Sequence, residues 1–266
     1  TGAASGLGRA VALELAARQG RLIVGDIDEA GLEETVTLAT RRGAKVEGLR
    51  CDVRDADQVE ALVALADRAF GGVDIGVNNA GVAVSGHVGD IPLADWRWQI
   101  DINLWGVIYG CHSLAPRMKQ QGSGWILNVA SAAGLIAAPM MAPYNVTKAA
   151  VVALSETMAG ELHGTNVRVS ALCPTFFRTN IHIGSRTSVP DLAGRTERLV
   201  TESKWSAEKV ATIALAGLER GDLYIIPQTD GKVMWRAKRL FGTSFYGAMG
   251  RVMKSPRVLD WLGGGE

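Results

Sequence analysis

The sequence predicts an α/β protein, a doubly wound parallel sheet within a single domain, and three observations predict it. Short apolar, β-branched runs alternate along the chain with longer helical patterns. A glycine-rich turn, Thr1-Gly2-Ala3-Ala4-Ser5-Gly6-Leu7-Gly8, opens the first helix, and an acid, Asp26, ends the strand that follows. No internal repeat or low-complexity linker divides the 266 residues.

The elements follow in order. The first helix is expected over 6–19, with Gly20 as its stop, and a strand over 22–24. The helix at 29–42 carries Glu33 and Glu34 early and Arg41 and Arg42 late, the order the helix dipole favours. A strand at 45–51, a helix at 56–70 and a strand at 73–77 come next. Residues 93–120 read as helix, divided into two pieces around Asp101. A strand at 124–129, a helix at 143–162, a strand at 166–172, a helix at 207–220 and a strand at 222–227 complete the alternation. The glycine turn ought to follow a strand, yet Thr1 opens it. The first strand of the sheet is therefore expected to be missing from this numbering.

Composition narrows the function. Lys and Arg number 28 against 27 Asp and Glu, a net charge of +1, so no global field favours nucleic acid, which is not expected as a partner. Cys51, Cys111 and Cys173 have neither an even count nor metal-ligand spacing and read as buried thiols; His87, His112, His163 and His182 show no ligand spacing either, so no metal is expected. Neither a signal-like start nor a run of 18 apolar residues occurs, which points to a cytoplasmic location.

The glycine turn has the spacing Gly-x-x-x-Gly-x-Gly, a variant of the Rossmann dinucleotide fingerprint. A side chain on Gly6 or Gly8 would hold a pyrophosphate away from the helix N-terminus. An ordinary glycine-rich turn would look the same. Asp26, 18 residues beyond Gly8, adds a carboxylate able to accept from both adenosine ribose hydroxyls and to repel a 2′-phosphate. No Arg or Lys occupies Ser5 or Ile27, so NAD is expected over NADP. A solvated turn or a helix cap competes for Asp26. Asp52, directly after the third strand, is placed either to accept from the adenine amino group or to cap the helix that follows. Further along, Tyr144 and Lys148 stand four apart on one helix face, where an adjacent cation favours the phenolate, and Ser131 ends the strand 124–129 at the carboxyl edge of the sheet, where such folds bind ligands.

Together these residues resemble the short-chain dehydrogenase/reductase family over roughly 1–227. The matching pieces, in order, are the 1–8 turn, Asp26, Asp52-Val53, Asn78-Asn79-Ala80-Gly81, Asn103, Ser131, Tyr144 with Lys148, and Pro174 followed by Thr179. The resemblance implies a cofactor site made of Gly2, Ser5, Gly6, Leu7, Gly8, Asp26, Asp52, Val53, Asn79, Ala80, Pro174 and Thr179, with Tyr144 and Lys148. Residues 78–81 would support the sheet beside the adenosine, and Thr179 would hold the carboxamide. Asn103 would anchor a water in the proton relay. The implied chemistry is hydride transfer between a carbinol carbon and nicotinamide C4. Tyr144 would be the general base, Lys148 would lower its pKa, and Ser131 would donate to the substrate oxygen. The same residues could serve an epimerase or dehydratase, or a dinucleotide sensor without turnover. A dimer or tetramer is implied. Two departures stand out: Leu7 replaces a common Ile, and Thr175 replaces the glycine that usually follows Pro174, which puts the loop beside the nicotinamide in question.

Residues 175–205 read as a long, poorly periodic substrate lid within a 1–227 catalytic domain. Its Phe176, Phe177, Ile181 and Ile183, with Val82, Val84, Leu135, Ile136, Met140 and Met141 from other loops, suggest apolar walls and an apolar alcohol or ketone. His182 is expected near the lip. The extension 228–266 departs from the family. Over 231–258 it carries Lys232, Arg236, Lys238, Arg239, Arg251, Lys254 and Arg257 and no acid, interleaved with Trp235, Phe241, Phe245, Tyr246 and Met249. A basic aromatic helix pair of this kind either packs at the substrate entrance or on a second subunit, or lies on an anionic membrane surface.

Overall fold

A computed structural model describes residues 1–253. Lys254 and Arg257 lie outside the described residues. Helix α1 (Gly6–Ala17) follows the glycine turn. After it come β1 (Arg21–Asp26), α2 (Glu29–Arg41), β2 (Lys45–Arg50), α3 (Ala56–Phe70), β3 (Ile75–Asn78) and the two-residue β4 (Val84–Ser85). Then α4 (Leu93–Ile100) passes through a π-helical turn, Asp101–Trp105, into α5 (Gly106–Gln121), so the break expected around Asp101 is present. The rest is β5 (Gly124–Val129), α6 (Ala132–Ile136), α7 (Ala142–Glu161), β6 (Val167–Leu172), β7 (Arg186–Thr187), α8 (Pro190–Thr201), α9 (Ala207–Arg220), β8 (Tyr224–Ile225), α10 (Thr229–Phe241) and α11 (Thr243–Met253).

The caps are legible in the residues. Asp28 accepts from the Gly31 N–H at the start of α2, Asp55 from Asp57 and Gln58 at the start of α3, and Ser206 from Lys209 at the start of α9. Gly71, at φ +83°, stops α3 in the left-handed conformation a side chain would resist.

All strand pairs are parallel. β2 pairs with β1, and β3, β5, β6 and β8 follow side by side. Residues 1–3 lie between the two groups: the Thr1 backbone nitrogen donates to Val77 O at 3.0 Å and the Ala3 N–H to Gly25 O at 3.2 Å. The sheet is interrupted between β1 and β3, where these residues run. Both faces are covered, and successive residues of β5 serve opposite layers. Ile126 packs with Leu114, Met118 and Val151 of α5 and α7, whereas Leu127 and Val129 pack with Leu7 and Val11 of α1 and Val210 and Ala214 of α9. A buried polar ladder crosses the first layer: Asn78 donates to Asn128, which donates to Ser155.

Two expectations are corrected. The lid is not irregular throughout, because 190–201 is helix α8; Leu192, Thr196, Leu199 and Val200 recur at helical spacing, and Pro190 pre-sets φ in its first turn. The last strand shrinks from 222–227 to Tyr224–Ile225, and the chain turns in at the buried Gln228.

Candidate active site

One cavity of about 770 Å³ opens at the carboxyl ends of the strands and reaches from the glycine turn to the lid. It brings together Gly2, Ser5, Gly6, Leu7, Asp26, Asp52, Val53, Asn79, Ala80, Ser131, Tyr144, Lys148, Pro174 and Thr179. Of the expected residues, Gly8 and Asn103 stand behind this wall.

At one end the backbone is shaped for a close approach. Gly2 and Gly6 have φ of +66° and +52°, and a Cβ on Gly8 would lie 2.0 Å from Gly2 O. Ser5, the residue before α1, makes no side-chain cap, so the first amides of this helix face the cavity uncapped. Asn79 fastens the turn by donating to Thr1 O and Gly2 O. An uncapped helix end behind a turn with no room for side chains fits a dinucleotide pyrophosphate. Asp26 also fits: its Oδ2 accepts from Ala4 N–H at 2.8 Å and its Oδ1 from Asp28 N–H at 3.0 Å, which orients the half-buried carboxylate and leaves lone pairs facing the cavity. Asp52 is neither free nor the helix cap, a role taken by Asp55. It grips the Arg54 guanidinium, and these hydrogen bonds hold its carboxyl below the usual range.

In the middle, Tyr144 and Lys148 project from α7 toward Ser131 at the start of α6. Burial pushes Tyr144 up to about 12, opposed by its hydrogen bond with the Ser131 hydroxyl. Burial also pulls Lys148 down to about 8; its Nζ donates to Val129 O at 2.7 Å and lies 5.7 Å from the centre of the Tyr144 ring. Ser131 Oγ accepts from Ala133 N–H at 3.1 Å. The Asn103 carboxamide, in the π-helical turn, is spent on Val82: Oδ1 accepts from Val82 N–H at 2.8 Å and Nδ2 donates to Val82 O at 2.9 Å. Asn103 and Lys148 nevertheless flank the same backbone, since a Cβ on Gly81 would lie 3.4 Å from Asn103 Oδ1 and 3.6 Å from Lys148 Nζ.

The Thr175 departure is accommodated. Its N–H donates to the buried Gln228 Oε1 at 3.0 Å and its hydroxyl to Asp230 Oδ1 at 3.2 Å, so the loop after Pro174 is pinned by the residues that begin the extension.

The substrate end is mostly apolar. Val82, Ile136, Met141, Phe176, Phe177, Ile181 and Ile183 line it as expected, whereas Val84 and Leu135 are buried in the core and Met140 is not part of the wall. Met140 instead takes φ +63° and accepts from Gly86 N–H. His182 faces Thr179 O and is likewise not part of the wall. Trp98, Thr196, Val200, Met234 and Met249 were missed. The helical spacing of Thr196 and Val200 was available in the sequence, but nothing local aims Trp98, Met234 or Met249 at a cavity. Trp98 is fixed from behind: the Arg186 guanidinium lies 3.9 Å from its ring centre and pairs with Asp95 at 2.7 Å.

Known proteins are similar to this chain in sequence and fold. The family described as short chain dehydrogenase matches residues 1–189. The chain is 32% identical over 253 residues to the putative oxidoreductase SadH of Mycobacterium tuberculosis, covering 92% of this chain and 90% of that protein. It is 36% identical over 233 residues to the 3-oxoacyl-[acyl-carrier-protein] reductase FabG of Thermotoga maritima, covering 87% and 93%. Among solved structures, a short chain dehydrogenase/reductase from Burkholderia phymatum in complex with NAD superposes with a TM-score of 0.86 at 34% identity, over 90% of this chain and 91% of that one.

Proposed function

The chain belongs to the short chain dehydrogenase family and is a nicotinamide-dependent oxidoreductase of alcohols and ketones, and from that premise we propose that its cofactor is NAD and its substrate an apolar secondary alcohol or the matching ketone. The observation that carries the reading is the meeting of Tyr144, Ser131 and Lys148 in one cavity with the uncapped start of α1. The relatives, named as reductases and dehydrogenases, support oxidoreduction over epimerisation, dehydration or sensing without turnover.

When bound, the cofactor supplies or accepts the hydride. The chain's own residues handle the proton. Tyr144, as the phenolate, takes it from the alcohol oxygen, or, as the hydroxyl, returns it in ketone reduction. Ser131 donates to the same substrate oxygen as charge develops there. Lys148, as an ammonium, favours the phenolate and opposes the burial that raises the Tyr144 pKa. Asn103 is a positioning residue that holds Val82 against the substrate. The ordered Asp26 carboxylate, with Arg54 neutralised by Asp52, disfavours a 2′-phosphate and supports NAD over NADP.

The reading includes a cytoplasmic homo-oligomer, dimer or tetramer. The exposed Trp105 and Val146 supply apolar surface for a second copy. No helix among the described residues is long and apolar enough to cross a membrane.

The test is absorbance of the reduced nicotinamide with a panel of alcohols and ketones, run with NAD and with NADP. Formation of NADH from apolar secondary alcohols, with a higher kcat/KM for NAD, is expected. Equal values for the two cofactors, or an Asp26→Ala variant that gains nothing with NADP, would remove Asp26 from the site.

A further inference from the structure

Helix α10 carries three rows of side chains, each at the i, i+4, i+7 spacing that places residues on one helix face. Gly231, Trp235 and Lys238 form the inner row. Gly231 is buried, the Trp235 ring meets Tyr224 of β8 at 5.1 Å, and Lys238 Nζ donates to Leu135 O at 2.6 Å. Val233, Ala237 and Leu240 form a second row that points away from the body; Val233 and Leu240 are 58% and 78% exposed. Lys232, Arg236 and Arg239 form the third, beside the second and also exposed. None of these three cations pairs with a carboxylate among the described residues, and no acid occurs between 231 and 253. On the other flank of the outward apolar row stand Met234 and Phe241. Met234 is part of the cavity wall together with Met249 of α11, and the exposed Phe176 and Ile183 of the lid belong to the same wall.

We propose that this face of α10 docks the enzyme on an anionic lipid bilayer, with the mouth of the substrate cavity turned to the membrane. An apolar row bordered by cations that have no carboxylate partner, Arg239 lying over the Trp235 ring at 5.2 Å from its centre, matches the two layers of such a surface, acyl chains for Val233, Leu240 and Phe241 and headgroup phosphates for Lys232, Arg236 and Arg239. The other occupants match less. A two-fold contact between copies through this row sets cationic rows of both subunits close together with no acid to answer them. A nucleic acid satisfies the cations and leaves Val233 and Leu240 in water. The cavity adds an independent reason: the helix that carries the outward apolar row also supplies part of the apolar cavity wall, so a substrate dissolved in the bilayer enters without crossing water. That last clause rests on the proposed apolar substrate; the docking does not.

Docking is read without turnover, by co-sedimentation of the full chain with vesicles of phosphatidylglycerol and phosphatidylcholine and with vesicles of phosphatidylcholine alone. Binding to the anionic vesicles only, weakening as ionic strength rises from about 0.01 M to about 1 M, is expected. Each surface cation contributes roughly a fivefold factor, so Lys232→Glu/Arg236→Glu/Arg239→Glu should lower the affinity at least about 100-fold. Val233→Ser/Leu240→Ser should also weaken binding. Both variants should keep their turnover of a water-soluble alcohol, which shows that they fold. No binding to anionic vesicles at low salt overturns the proposal. So does binding that survives the charge reversal, or light scattering in which Val233→Ser/Leu240→Ser dissolves an oligomer, because the row then belongs to a second copy. An enzyme that docks but ignores apolar alcohols overturns the substrate reading and leaves the docking standing.

Discussion

The cofactor end of the cavity is walled by the 1–8 turn, Asp26, Asp52 and Asn79, loops at the carboxyl edge of adjacent strands that are tied to one another through backbone groups, as Asn79 is to Thr1 and Gly2 and Asp26 is to Ala4. The substrate end is walled by Trp98 of α4, Val200 of α8, Met234 of α10 and Met249 of α11, side chains from four helices spread over more than 150 residues of chain. The first depends on where the backbone runs and tolerates almost no added atom. The second depends on apolar volume, which several combinations of side chains can supply. The difference teaches that binding of the cofactor and choice of the substrate should separate cleanly under substitution.

The largest expected effect lies where the two ends meet. Tyr144→Phe removes the oxygen that carries the proton and should lower kcat by about 10²- to 10⁴-fold with NAD affinity unchanged, measured by turnover and by cofactor titration. Turnover within a few-fold of the parent would detach Tyr144 from the chemistry. Lys148→Ala should be next, with slower turnover and weaker NAD binding. Because burial holds Tyr144 up at about 12 and Lys148 down at about 8, the ammonium that favours the phenolate is fully present only below about pH 8, so the gap in turnover between the parent and Lys148→Ala is expected to be widest near neutral pH and to narrow as pH rises. A gap independent of pH would show that Lys148 does not tune Tyr144 through its charge.

Two milder substitutions test the ends separately. A Cβ at Gly8 must displace Gly2 O, a strain of about 1–3 kcal/mol, so Gly8→Ala should raise the NAD dissociation constant roughly 10- to 100-fold and spare the ratio of kcat/KM values among alcohols. Trp98→Ala should do the reverse. Its loss of apolar contact, of order 1–2 kcal/mol, should raise KM for a bulky alcohol roughly tenfold and leave NAD affinity alone. Damage to both functions by either variant would break the distinction between the ends.

The cofactor end was legible because its signals are local. Glycines 2, 6 and 8 announce a backbone that needs room, an acid closes the next strand, and Tyr144 and Lys148 share a helix face within one turn. Asp52 marks the limit of local signals: the sequence does not say whether Asp52 or Asp55 caps α3, and Asp55 takes the cap while Asp52 lines the cavity and holds Arg54, two residues away. At the substrate end, Phe176 and Ile183 were found by being apolar in a loop, but the same criterion admitted Val84 and Leu135, which the core absorbs. Thr175 looked like a defect until Gln228 and Asp230, more than fifty residues later, were seen to hold it.

The sequence by itself determined the alternation of strands and helices, the doubly wound sheet and the glycine turn with its acid, each from periodicity or spacing within a few residues, where the chain's own geometry leaves little choice. Ser131, Tyr144 and Lys148 were singled out as a set through the family resemblance, because a Tyr and a Lys four apart are common on helix surfaces. Only the tertiary structure decided which apolar side chains face the cavity and which fill the core, that Asn103 is spent on Val82, and that the extension both pins Thr175 and lends Met234 and Met249 to the wall. Those outcomes depend on which surfaces meet when distant helices pack. Burial rewards apolar area wherever it is removed from water, so hydrophobicity alone does not say against what.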